Sequence, residues 1–170
     1  MVGWIVMTAY VDPTYVYMIN DVAGVVAANN FISLFNPVGS GVVFLGLQIS
    51  VSTYATTVSA TPTSLVSKRI TAASGGTLIS ASTIPRFKTS LPDPKTVIRI
   101  GNPTVTVVGL GFAPISPIIS TGTGVSSSSA SPPGNFAFVC SEGEGVVATT
   151  AAGNVNQIWN ISVVWQEIVR

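Results

Sequence analysis

"QIWNISVVWQEIV", Gln157 to Val169, is the stretch that decides the fold class. Trp159, Ile161, Val163, Trp165 and Val169 fall on one parity, while Asn160, Ser162 and Gln166 fall on the other. Side chains alternate across a strand with a period of two, so a strand is predicted over Gln157–Ile168 with one face buried and one open. A helix would need apolar residues three and four apart, and no such stripe runs along the chain. Seven further segments predict strands: Val42–Thr53, Thr57–Pro62, Leu65–Thr71, Thr96–Ile100, Thr104–Leu110, Asn135–Cys140 and Gly145–Thr150. Each is rich in β-branched residues and ends at a Gly, Pro, Asn or Ser cluster.

Those clusters supply the turns. "NPVGSG" (Asn36 to Gly41) places Pro and Gly for tight turns before a strand. "ASGGT" (Ala73 to Thr77) reads as a glycine turn between strands, and "LPDP" (Leu91 to Pro94) and "GNP" (Gly101 to Pro103) as further breaks. No helical pattern separates the strands, which argues against a parallel α/β sheet. About eight strands in one domain of 170 residues predict an antiparallel, all-β sandwich of jelly-roll type over residues 31–170. Residues 120–135 are low in complexity and predict a flexible, exposed Ser/Gly/Pro-rich loop. Residues 1–30 stand apart and read as an N-terminal arm or a short helix, since Ala and Val there have opposite preferences.

Only 8% of residues are charged and 47% are hydrophobic, against about 25% charged in an ordinary globular domain. A membrane does not account for this. Gly41 to Ile49 is too short for a spanning helix, and Val105 to Ile119 holds Pro114 and Pro117. "MVGWIVMTAYVD" lacks a basic leader, so no signal peptide is expected. Burial against other chains is the better explanation. Asp12 and Asp21 are the charges before residue 68; Lys68, Arg69, Arg86, Lys88, Lys95 and Arg99 against Asp93 make the middle basic. Glu142, Glu144 and Glu167 against Arg170 make the end acidic. A dense basic arm with interleaved aromatics is missing, so nucleic acid is not the expected partner.

Gly143-Glu144-Gly145-Val146-Val147-Ala148 fits a dinucleotide fingerprint, with Glu167 spaced as a ribose contact. That motif needs a helix after the glycines, whereas "VVATTAAG" is β-branched and meets Gly153 at once. A hairpin turn with Gly143 and Gly145 at positive φ is predicted instead. Glu142 and Glu144 could pair as acid and base, but no other acids or aromatic platforms cluster with them. There is no histidine and a single cysteine, Cys140, expected to be a buried, inert thiol. Asn160-Ile161-Ser162 is a formal glycosylation sequon inside a predicted strand. No catalytic, cofactor-binding or metal-binding residue is assigned, and no enzymatic activity is expected.

Three stretches carry a resemblance: "SLFNPVGSGVVFLGLQISVS" (Ser33 to Ser52), "SGGTLI" (Ser74 to Ile79) and "SEGEGVVATTAAGNVNQIWNISVVWQE" (Ser141 to Glu167). In this order they resemble a group of tailed-bacteriophage virion structural proteins with the pattern LFNPxGSG, SGGT, GEG, W and W-E. The resemblance implies a capsid decoration, or cement, protein, made in the host cytoplasm and bound to the outer shell. Its implied partners are the major capsid protein and neighbouring copies of itself, as trimers at local three-fold positions. The alternatives are a tail-fibre or spike module for host recognition and a small-virus jelly-roll capsid protein. The first would show aromatic residues in its long loop, and residues 120–135 have none. The second would carry a basic arm, and residues 1–30 contain no Lys or Arg.

Overall fold

The computed structural model describes residues 14–23, 29–55, 65–109, 113–115, 126–130, 138–150 and 157–170. Among the described residues, twelve strands form two antiparallel sheets. In chain order these are β1 (Thr14–Ala23), β2 (Asn29–Asn36), β3 (Val42–Ala55), β4 (Leu65–Ser74), β5 (Thr77–Leu78), β6 (Val97–Ile100), β7 (Thr104–Val107), β8 (Ala113–Ile115), β9 (Ser126–Ala130), β10 (Phe138–Cys140), β11 (Glu144–Thr150) and β12 (Gln157–Val169). The first sheet runs β1-β12-β3, with β9 and β10 sharing the far edge of the long strand β3. The second runs β5-β6-β2-β11-β4, with β7 and β8 sharing the far edge of β4.

This pairing is nested. The first strand pairs with the last, the second with β11, the third with β9 and β10, and the fourth with β7 and β8. A long antiparallel hairpin rolled into two facing sheets has this order, which is the jelly roll. Strands β5 and β6 extend the second sheet beyond β2, past the eight positions of the roll.

The core lies between the sheets, and β12 supplies its centre. Trp159, Ile161, Val163 and Trp165 are at most 1% exposed. Phe31 of the second sheet meets Trp159 of the first with ring centroids 5.6 Å apart, and Tyr15 stacks on Trp165 at 5.5 Å. Such contacts add to the area term that dominates a core of this kind.

Three expectations change. Residues 14–23 are neither arm nor helix but β1, because Tyr15 and Ile19 alternate inward and the strand pairs with β12 along its length. The boundary drawn at residue 30 therefore cuts β2, a strand the turn signals alone did not delimit. Residues 126–130, expected to be loop, form β9 against Ile49 to Thr53 of β3. A serine run can do this because a ladder is made of backbone groups, whatever the side chains. The predicted strand Thr57–Pro62 lies outside the described residues, as do residues 1–13.

Edges and irregularities have local causes. Pro85 and Phe87 cover the start of β1: Val16 N donates to Pro85 O at 3.2 Å and Phe87 N to Thr14 O at 3.3 Å. β1 shifts register between Ile19 and Val22, where Asp21 takes φ +54° and its amide donates to Asn160 Oδ1 at 2.8 Å. Short polar residues tolerate that conformation best.

Candidate functional site

The residues that the sequence singles out meet at one corner of the roll. β2 ends at Asn36, whose side chain is fully buried. Its Nδ2 donates to Val42 O at 2.8 Å and to Cys140 O at 3.3 Å, and its Oδ1 accepts from Ser40 Oγ at 2.6 Å. Its carbonyl accepts the Gly143 amide at 2.8 Å. One asparagine thus joins β2, β3, β10 and the turn before β11. Glu142 closes the corner from outside: Gly41 N donates to its Oε1 at 2.7 Å and Gly39 N to its Oε2 at 3.0 Å. Arg170 N donates to Gly41 O at 3.0 Å, tying the end of β12 to the same turn.

Those two amides hold the Glu142 carboxyl below its ordinary pKa. A depressed folded pKa contributes stability that is present above the unfolded value and lost as pH falls through the folded one. Glu142→Gln is therefore expected to be less stable than the parent at neutral pH, with the gap closing in acid. Urea midpoints at stepped pH measure this.

The fingerprint is part of this corner. Gly143 has φ +78° in the turn, as a hairpin requires. Gly145 does not take a positive φ, so the expectation of two left-handed glycines is corrected. Its reason is close packing: a Cβ there would lie 2.3 Å from Leu34 O and 2.9 Å from Phe35 Cα. No helix follows the glycines; they lead into β11, the strand between β2 and β4. The geometry is that of a strand start and leaves no helix terminus to face a pyrophosphate.

The glutamates also part company. Glu144 accepts from Ser141 N at 2.9 Å and pairs with Arg69 at 3.2 Å, partly exposed, a contact worth about 0–1 kcal/mol. Glu167 lies near the C-terminal end of β12, opposite Phe44 of β3, and is only 3% exposed, on the core parity. Thr96 N donates to its Oε1 at 2.8 Å and Lys95 N to its Oε2 at 2.9 Å, with Trp165 Nε1 at 3.4 Å. This carboxylate holds the start of β6, in the second sheet, to β12 in the first. Sequence reading missed the role, although strict alternation from Trp165 already places residue 167 inward; Val169, counted among the inward residues, is instead 65% exposed.

The basic middle disperses. Arg86 is bound to Asp93 and to Leu91 O, and Arg69 to Glu144. Lys68 and Arg99 lie in one row of the second sheet, separated by the buried Val147 and Ser33. An open depression lined by Ser82, Thr83, Ile84, Pro85, Arg86 and Thr89 holds Arg86 as its one ionisable side chain, already bound. Among the described residues, no three His, Cys, Asp or Glu side chains group as metal ligands would.

Cys140 is fully buried, and desolvation pushes its thiol up to about 12. Almost no thiolate exists at pH 8, so a disulfide-exchange dye is expected to leave the native protein unlabelled and to label one thiol per chain in guanidinium. Rapid labelling of the native protein would contradict this placement. Comparison of the chain with protein-family models, with curated proteins and with solved structures found no match.

Proposed function

We propose that this chain is a structural protein of a tailed-phage virion, a decoration protein that docks on the outer capsid surface and stabilises the shell. The reading starts from the ordered motifs that resemble such proteins. The observation that carries it further is what those motif residues do. Asn36, Gly39, Gly41, Glu142 and Gly143 bind one another at a corner, and Glu167 binds the Lys95 and Thr96 amides that lead into β6 of the opposite sheet. Their polar atoms are engaged in fixing a rigid jelly roll, and a rigid block is what repeated docking on a lattice requires. A folded protein that binds only the intact shell stabilises it by mass action. Its partners in this reading are the major capsid protein and neighbouring copies of itself.

The test is removal and return. Particles stripped of the protein are expected to lose resistance to heat or chelator and to regain it when purified protein is added back. Unchanged resistance in stripped particles would count against the stabilising role.

A further inference from the structure

Strand β7 ends the second sheet with an unguarded edge. It pairs with β4 along one side, and among the described residues no strand pairs with the other. Thr104, Thr106, Val107 and Val108 are exposed, Val107 at 41% and Val108 at 38%. Exposed edges are ordinarily blunted by a charge, a proline or a bulge, since a row of open amides and carbonyls invites another chain. The edges at the far side of each sheet follow that rule. Pro85 and Phe87 cover the start of β1, and Asp21 puts a charged bulge farther along it; β5 is two residues long. Thr104-Val105-Thr106-Val107-Val108 has no charge and no proline, and every residue in it is β-branched, the class that favours strands. The nearest charge on the neighbouring ladder, Arg69, is turned to Glu144.

One bond fixes which way the backbone groups of β7 face. Val108 N donates to Arg69 O at 2.9 Å, so Val108, Thr106 and Thr104 turn their amides and carbonyls to β4. Val105 and Val107 turn theirs to the open side. We propose that this open edge pairs with β7 of a second copy, antiparallel, about a two-fold axis at Thr106. In that register the Val105 amide meets the Val107 carbonyl of the second copy, and the Val107 amide meets its Val105 carbonyl. Every open backbone group of the two residues is then used. The side chains agree: Val105 comes beside Val107, Thr104 beside Val108 and Thr106 beside its own copy, with no charge set against another. A two-fold contact must be self-complementary, and this strand is. The second sheet then continues into its copy, as a sheet does when it accepts an added strand. Five residues from each chain make a short contact, so pairing is weak in dilute solution and strengthened where copies are held side by side. This deepens the reading above, and rests on it for that setting, by giving the neighbouring copy a surface. It makes the contact two-fold, where the resemblance suggests a three-fold ring.

Sedimentation velocity of the full chain at rising concentration tests the pairing without any particle, so its failure and that of the virion reading are distinguishable. The parent is expected to shift toward a dimer by about 1 mM. Val107→Pro removes an open-edge amide and leaves the β4 ladder intact, so it is expected to stay a monomer with unchanged circular dichroism. Thr106→Cys gives a second reading if the proline variant fails to fold. Residues opposed at a non-hydrogen-bonded position stand about 4.5 Å apart at Cα, within the range of about 4.4–6.8 Å that a disulfide accepts. Thr106→Cys is therefore expected to form a linked pair on mild oxidation, Cys140 being buried, while Leu78→Cys, at a position 56% exposed on β5, stays single. A parent that remains monomeric or forms trimers, a folded Val107→Pro chain that still pairs, or a Thr106→Cys chain that links no faster than Leu78→Cys would overturn the proposal. So would a Val107 amide protected from hydrogen exchange only when particles are present, which would give this edge to a strand of the shell.

Discussion

Gly145→Val is expected to leave the protein unfolded, or to lower its melting temperature by more than about 10 °C, which follows from a loss above about 3 kcal/mol in a chain of this size. The added Cβ would fall 2.3 Å from Leu34 O and 2.9 Å from Phe35 Cα, atoms of the β2 backbone that cannot rotate away. Ile70 Cγ1 stands 3.1 Å off on the other side. β11 is paired on both edges, with β2 and with β4, so it has no free direction in which to shift. Overpacking of an ordinary core site costs about 1–3 kcal/mol; a clash with two paired strands exceeds that. A melting curve followed by circular dichroism checks it, and a shift of only a few degrees would show that β11 and β2 are less closely apposed than described.

Glu167→Leu is expected to cost about 3–5 kcal/mol, because each buried donor left without a partner costs about 1–3 kcal/mol. The donors are the Thr96 and Lys95 amides and the Trp165 indole. Leucine would better suit the core by hydropathy alone, so the sign separates the two accounts. Glu167→Gln retains one acceptor oxygen and is expected to fall between the parent and the leucine variant. Guanidinium unfolding gives the order; a leucine variant as stable as the parent would mean that the carboxylate does not hold the two sheets together.

The parts of this fold that could be read in the sequence are those whose signal is local. The β12 alternation is legible because one face packs on a core and the other does not. The turns at Asn36–Gly41 and Ala73–Thr77 are legible because Gly and Pro restrict the backbone in known ways. What escaped reading has a non-local cause. β1 carries mixed Ala, Val and aromatic residues, and its strand state comes from Tyr15 packing on Trp165 and from pairing with a segment far along the chain. β9 is a serine run whose order comes from the backbone ladder of β3. The corner is invisible locally, since Gly39 and Glu142 lie 103 residues apart. Glu167 was legible in principle: its parity points inward, and only the habit of placing carboxylates outside concealed it.

The two glutamates of "SEGEG" show why a motif is read through its contacts. As letters they suggest a phosphate cradle or an acid pair. In the fold, one caps a turn by accepting two glycine amides and the other pairs with Arg69. Both arrangements act on the backbone or on a neighbouring strand.

The most direct measurement is cryo-electron microscopy of purified particles from cells that make this protein, with the jelly roll fitted to the density. The account predicts density that fits the jelly roll on the outer capsid surface, repeated at equivalent lattice sites. Density confined to the tail, or particles that lack the protein altogether, would contradict it.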